Sequence, residues 1–254
     1  MLAARHYENF TVASKLLPPA ARLDLARIYA YCRTTDDLGD ESGSVEAALS
    51  RLGRWRDEVE RMFAGEPPVH PVLIAVARTV ALRSLGIEPF LALIAANVQD
   101  QNVASYESWP ELLAYCRNSA APVGRMVLGV FGLRGGDAER LSDDVCIGLQ
   151  LANFAQDVAR DERLGRTYLV QADIRALGKA GATQAMVVRA RELLASGRAL
   201  ERMAPFGLRL QLALYRLGGL AICDAIAAIA YRTDLERPTV SKRTKLALVM
   251  RAAL

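Results

Sequence analysis

The chain is poor in the residues from which most metal centres and redox sites are built. Its 254 residues include two histidines, His6 and His70, and four cysteines. Neither histidine lies in a Glu-x-x-His pattern, which excludes a ferritin-like di-iron site, and the lack of paired His or Cys ligands excludes zinc. Cys32, Cys116, Cys146 and Cys223 are far apart, with no C-x-x-C pair. Each falls in an apolar helical pattern and reads as a reduced, buried thiol, which points to a reducing compartment. Aromatics are only 6% of the chain and the basic residues are scattered, so no nucleic-acid reader is expected. A dinucleotide fingerprint is missing too. So are Gly/Ser-rich linkers, low-complexity runs and internal repeats, and a single domain over 1–254 is expected.

Long uncharged apolar runs are also missing. The most apolar segment, Leu208 to Tyr231, is interrupted by Arg209, Arg216 and Asp224, so no span of a bilayer is expected. The opening Met-Leu-Ala-Ala-Arg-His meets charge at once and has no apolar h-region, so no signal peptide is expected and the protein is placed in the cytoplasm. The net charge of +4 and pI of about 9.0 are mild for this length. They suit small anionic substrates or an anionic membrane surface better than DNA.

What is present is helical. The chain is 52% hydrophobic, enough for a sizeable core, and its apolar residues recur at helical spacing with little strand alternation. The pattern predicts helices over Ala20 to Asp40, Val45 to Ala64, Val72 to Leu85, Phe90 to Asn102, Pro110 to Phe131, Ser142 to Asp161, Thr183 to Met203, Pro205 to Arg232 and Ser241 to Ala252. Pro122 should kink or break the fifth of these. The fold class is all-α.

Two of these helices carry acidic clusters, Asp36-Asp37-Leu38-Gly39-Asp40-Glu41 and Asn153-Phe154-Ala155-Gln156-Asp157-Val158-Ala159-Arg160-Asp161. In each, two aspartates four residues apart share one helix face. On the first helix Leu25, Ile28, Tyr29 and Cys32 read as the buried stripe, and Arg33, Asp36 and Asp40 read as its continuation. The second helix is apolar nearly all round, with Gln150, Asn153, Asp157 and Asp161 as a narrow polar strip expected to face an interior cavity. Acids spaced like this usually mark a solvated face. Two pairs beside apolar stripes argue otherwise, since an unpaired buried carboxylate is costly. Facing each other in a bundle, the two pairs would make a cage for a hard cation. Oxygen ligands without histidine or thiolate suit Mg²⁺, which completes its shell with substrate phosphates.

These residues resemble the squalene/phytoene synthase family of head-to-head isoprenoid synthases. The matching stretches are Tyr29-Ala-Tyr-Cys-Arg33-Thr-Thr-Asp36-Asp-Leu-Gly-Asp40-Glu41, Tyr115-Cys-Arg-Asn-Ser119-Ala-Ala-Pro122-Val-Gly124, and Gln150-Leu-Ala-Asn153-Phe-Ala-Gln-Asp157-Val-Ala-Arg-Asp161, followed by Gly165-Arg166-Thr-Tyr168-Leu169. His6-Tyr-Glu-Asn-Phe10-Thr-Val-Ala-Ser14 and Pro238-Thr-Val-Ser-Lys-Arg243 look most like the hydroxysqualene synthase branch. The resemblance implies an isoprenoid-synthase bundle with a central cavity. It implies Mg²⁺ held by Asp36, Asp40, Asn153, Asp157 and Asp161, with those aspartates, Tyr29 and Tyr168 acting in catalysis. Arg33, Gln150, Asn153 and Arg166 would contact substrate. The implied reaction is ionisation of presqualene diphosphate, cation rearrangement and quenching by water. Gln156, where carotenoid-type members usually carry arginine, argues against phytoene synthase. Glu8, where two-diphosphate synthases tend to have lysine, favours one diphosphate. The alternatives are other synthases of the family, acting on substrates such as farnesyl diphosphate, and a non-catalytic helical scaffold, whose expected signature is loss of the acids. Other isoprenoid-pathway enzymes would be its partners.

The C-terminal stretch Ser241 to Leu254 is basic at its start and apolar later. One reading is a last bundle helix. The other is a peripheral contact with the inner membrane face, with Lys242, Lys245 and Arg251 towards headgroups and Leu246, Val249 and Met250 towards acyl chains.

Overall fold

A computed structural model describes residues 17–252. His6–Ser14, with Glu8, lies outside the described residues. Among the described residues the regular structure is helical: α1 Pro19–Asp40, α2 Val45–Phe63, α3 Pro71–Arg83, α4 Glu88–Gln99, α5 Trp109–Ser119, α6 Ala121–Val130, α7 Gly136–Gln156, α8 Val158–Arg163, α9 Gln171–Met203, α10 Phe206–Ala228 and α11 Lys242–Ala252. The one β-type pairing there is an isolated parallel bridge between Ser105 and Thr167. The expected all-α class is what the structure has. Contacts divide the chain into two compact units. The first runs to Val103 and takes in Asn118–Glu139; the second holds Ala104–Arg117 and everything from Arg140.

In the first unit α1 packs on α2, α3, α4 and α6. Its core is apolar, with Leu25, Ile28, Leu52, Val59, Leu73, Phe90 and Ile94 all buried. At its centre the Tyr31 ring stacks on Trp55 at 5.7 Å and meets the edge of Phe90 at 4.8 Å. Each polar atom in this cluster is satisfied. Tyr31 Oη donates to the Phe90 carbonyl at 2.9 Å, the Trp55 indole N–H donates to Thr35 Oγ1 at 2.9 Å, and Thr35 donates to the Tyr31 carbonyl at 2.9 Å. Burying these groups is tolerated for that reason. Asp24, also buried, is satisfied as well: it accepts from Thr79 at 2.8 Å and Arg83 at 2.8 Å and pairs with Arg27 at 3.3 Å.

This core corrects the sequence reading of α1. The buried stripe runs through Leu25, Ile28, Tyr31, Cys32, Thr35 and Gly39. Tyr29, Arg33 and Asp36 are half-buried beside it and Asp40 is exposed. The Trp55 and Phe90 rings dock on Tyr31, which turns the helix so that the acids border the core instead of continuing it.

In the second unit α9 packs on α10 and α10 on α11. By length and composition α10 could cross a membrane, contrary to the sequence reading. It is nevertheless a packed helix, because Leu208, Gln211, Leu212, Leu217, Cys223 and Ile226 are buried. Arg216, also buried, pairs with Glu201 at 2.6 Å. Pro122 does break its helix: α5 ends at Ser119 and α6 begins at Ala121. α9 starts twelve residues before the expected Thr183 and bends at Gly178, whose φ of 71° and ψ of 172° suit glycine alone. No disulfide joins the four cysteines; three are buried and Cys146 is half-buried. Burial pushes the Cys116 thiol up to about 12 and the Cys223 thiol up to about 11, so both are inert near neutral pH.

Replacing Thr35 tests how the core beside the first acidic motif is held. Thr35→Val leaves the buried Trp55 N–H without its acceptor, while the Tyr31 carbonyl keeps its helix bond, and should cost about 1–3 kcal/mol of stability. Thr35→Ser, which keeps the hydroxyl, should lose much less. Thermal or urea unfolding of the two variants checks the difference.

Candidate active site

The first acidic motif closes α1. Asp36 accepts a hydrogen bond from Asn97 Nδ2 at 3.3 Å, and the same amide donates to the Leu93 carbonyl at 3.1 Å. Gln101 Nε2 reaches the Gly39 carbonyl at 3.4 Å and the Asn97 carbonyl at 3.1 Å. These two amides bring the end of α4 hard against α1, and Gly39 permits it, because a Cβ there would sit 2.9 Å from Asn97 Oδ1. Burial pushes the Asp36 carboxyl up and the Asn97 hydrogen bond opposes it; the charge of Asp40 adds a smaller push upward. Arg33 is engaged with Asp37 at 2.7 Å and with Glu41 at 3.7 Å. It therefore neutralises the outer acids of the cluster.

The second motif straddles a break between two helices. α7 is buried along most of its length, including Ile147, Leu151, Ala152, Phe154 and Ala155, and Asn153, Gln156 and Asp157 are buried with them. Gln150 and Asp161 are half-buried. The expected uninterrupted helix to Asp161 is corrected here. Asp157, with φ −102° and ψ 15°, leaves helical geometry, and α8 starts afresh at Val158. The i to i+4 bonding survives the break, since Asp157 N donates to the Asn153 carbonyl and Asp161 N to the Asp157 carbonyl, both at 2.9 Å. Asn153, Asp157 and Asp161 thus stay in helical sequence along the strip the sequence placed there.

A distant segment grips this break. Arg237 pairs with Asp157 and donates to Gln156 Oε1 at 3.0 Å. Gln156 Nε2 returns a bond to the Pro238 carbonyl at 2.7 Å, and Ala159 N donates to the Thr233 carbonyl at 3.3 Å. The segment arrives through Ala230 and Tyr231, two consecutive non-glycine residues with φ of 51° and 59°. Such conformations are held only where the surroundings over-determine them. After α8, a turn at Gly165 with φ 74° sends the chain back, and Arg166 N donates to the Asp161 carbonyl at 2.9 Å. The bridge at Thr167 then fixes the next residues, and Tyr168 stacks on Phe154 with centroids 3.8 Å apart and planes 5° from parallel. Tyr106 and Tyr115 complete a cluster of four rings beside the motif, at 6.2 Å and 6.0 Å from Tyr168.

The donor sets suit a hard cation. They are carboxylate and amide oxygens in an apolar setting, without histidine or thiolate. The Asp161 carboxyl is pushed up to about 7, first by burial and then by the charge of Asp157, while Arg160, Arg166 and Arg237 pull it down. That is the behaviour of an acid short of positive charge. Among the described residues no group of three or more His, Cys, Asp or Glu side chains could hold an ion alone. Mg²⁺ in a site of this kind keeps waters and takes ligand phosphates for the rest of its shell.

Of the residues the sequence points to, Tyr29, Arg33, Asp36 and Asp40 lie in the first unit and Gln150, Asn153, Asp157, Asp161, Arg166 and Tyr168 in the second. Each unit gathers its own set. Asn97, Gln101, Arg237 and Tyr106 lie outside the residues the sequence singles out; Gln156 and Tyr115 stand in the quoted stretches, without an assigned role in the site. A signal existed for the first two, an Asn and a Gln four residues apart at the end of an otherwise apolar helix. None existed for Arg237.

The Asp161 shift has a measurable consequence in chelator. An acid with a native pKa above its unfolded value leaves the native state holding more protons between about pH 4 and that raised value. Stability should therefore fall as pH rises through this window and level off above about 7. Asp161→Asn should flatten that slope and melt higher than the wild type at pH 8. An unchanged slope in the variant would remove the assignment to Asp161.

Comparison with known proteins agrees with this reading. The family model described as squalene/phytoene synthase matches residues 3–244. Hydroxysqualene synthase of Rhodopseudomonas palustris is 32% identical over 256 residues, covering 94% of this chain and 83% of that protein. Phytoene synthase of Arthrospira platensis is 32% identical over 186 residues; that match covers 68% of this chain but only 60% of the relative's length. Among solved structures, squalene synthase HpnC from Alicyclobacillus acidocaldarius superposes with a TM-score of 0.83 at 42% identity, over 91% of this chain and 92% of the other. From the matched family model, the two acidic motifs and the all-α fold together, the chain belongs to the squalene/phytoene synthase family.

Proposed function

We propose that the protein is a Mg²⁺-dependent head-to-head isoprenoid synthase that converts presqualene diphosphate to hydroxysqualene. The observation that carries this reading is the pair of intact motifs, Asp36/Asp40 and Asn153/Asp157/Asp161, set among apolar helices with oxygen donors only. The similarity to hydroxysqualene synthase along 94% of the chain supports the choice of reaction. The intact acids count against a non-catalytic scaffold, because function resides in the site and not in the fold.

In this reading Asp36, Asp40, Asn153, Asp157 and Asp161 hold Mg²⁺, which supplies charge neutralisation to the departing diphosphate. Arg166 and Arg33 add guanidinium charge to its oxygens, and Gln150 and Tyr29 donate hydrogen bonds. Arg33 must exchange its Asp37 partner for the substrate to do so. Buried apolar side chains keep bulk water from the carbocation, and the half-buried Tyr168 is the ring of its stacked cluster with Phe154 and Tyr115 that can meet it. The final step adds one water oxygen to the cation and releases one proton, so no reductant is consumed.

Purified protein incubated with Mg²⁺ and presqualene diphosphate should yield hydroxysqualene without NADPH, with ¹⁸O incorporated from labelled water and read by mass spectrometry. Turnover of farnesyl diphosphate, or a product formed only with NADPH, would assign a different reaction of the family. Chelation with EDTA should abolish turnover. Asp36→Ala, Asp40→Ala, Asp157→Ala and Asp161→Ala should each lower kcat on the order of 100-fold or more with helical content unchanged. Asp37→Ala and Glu41→Ala, about 100° round the helix from the motif, should act more mildly.

A further inference from the structure

α11 differs from the other long helices in having no buried residue. It packs on α10, with Leu248, Val249 and Ala252 half-buried. Val249 therefore turns towards the protein, not outward as the sequence reading had it. Leu246 and Met250 turn the other way, each 66% exposed. They lie four residues apart on one face. Lys242 stands four residues and Arg243 three residues before Leu246, so both share that face. Arg251 is exposed on the adjoining side. α11 carries Lys242, Arg243, Lys245 and Arg251, and no acid occurs from Thr239 to Ala252.

We propose that the outer face of α11 is a docking surface for an anionic lipid bilayer, with Leu246 and Met250 entering the acyl boundary and Lys242, Arg243 and Arg251 lying at the headgroups. Charge complementarity selects this occupant. Lys242, Arg243 and Arg251, on a helix that has no acidic side chain of its own, attract a negative surface, and an apolar pair flanked by basic residues is the pattern of a helix that lies in the interfacial plane. An acidic polypeptide would satisfy the cations but leave the exposed Leu246 and Met250 without a use. A second copy of this chain would set the same cations against each other. The α10 side of the helix is already occupied, so the docking face is narrow and the contact is reversible and governed by salt. The inference does not depend on which reaction the protein catalyses.

The test is co-sedimentation of the full chain with vesicles. Vesicles of phosphatidylcholine containing about one-third phosphatidylglycerol should carry the protein down at low salt and release it as salt rises past physiological strength, while phosphatidylcholine alone should retain little. Lys242→Gln with Arg243→Gln should weaken partitioning about 25-fold, from about fivefold for each charge. Leu246→Asn with Met250→Asn should weaken it by about tenfold or more on the same vesicles. All four side chains are exposed, so melting temperatures should stay at the wild-type value, and sedimentation velocity should show the same assembly state for each variant. Failure of the intact chain to bind anionic vesicles at low salt would overturn the proposal. So would unchanged binding by the Leu246/Met250 variant. A change of assembly state without a change in vesicle binding would assign the face to a second copy and would equally overturn it.

Discussion

A carboxylate withdrawn from water must find positive charge or hydrogen-bond donors, and this requirement organises the molecule. The chain meets it in two ways. Asp24 is buried and fully partnered, taking donors from Thr79, Arg83 and Arg27, and in doing so it ties α1 to α3. This is a carboxylate used as structure. Asp36 and Asp161 are supported less. Asp36 has one long amide bond from Asn97, and Asp161 is pushed up to about 7 with three arginines nearby. Side chains kept in that condition cost stability, and such costs gather where a protein does chemistry.

The second motif shows how such a cost is contained. α7 cannot pass Asp157 as a regular helix, and the break is held by Arg237, Thr233 and Pro238 from a segment that follows two left-handed residues. On the other side, Gly165 and the bridge at Thr167 return the chain so that Arg166 caps Asp161 and Tyr168 lies flat on Phe154. The acids are therefore clamped from both directions by residues with little freedom to relax. Catalytic groups need that kind of support, because small displacements of a charge-stabilising group are expensive in rate. The clamping segment also leads directly into α11, so a single run of chain joins the second motif to the basic, exposed helix.

What could be read in the sequence follows from how local each signal is. The strip of Gln150, Asn153, Asp157 and Asp161 was legible because every other face of that helix is apolar, which leaves only one direction for polar groups. The break at Pro122 was legible because proline acts through its own backbone. The orientation of α1 was not, since Tyr31 and Tyr29 are equally plausible core residues until Trp55 and Phe90 choose between them. The first twelve residues of α9 were hidden by two glycines and a weak apolar period; little of that stretch is buried, and it is tied down by polar contacts from elsewhere in the chain, Trp109 to Asp173, Glu107 to Arg175 and Glu162 to Lys179. Arg237 was beyond reach, because it meets Asp157 across eighty residues of sequence and nothing in its own neighbourhood announces the pairing.

In the proposed reaction these acids take a divalent cation together with a diphosphate. Titration of the full chain with Mn²⁺, followed by the loss of the free-ion electron paramagnetic resonance signal with and without inorganic diphosphate, tests it without relying on turnover. Diphosphate should tighten Mn²⁺ binding by about tenfold or more. Asp36→Asn and Asp161→Asn should each weaken it, while Asp24→Asn, if the variant folds, should leave it unchanged. Mn²⁺ binding that ignores diphosphate, or that survives both motif substitutions intact, would contradict the account.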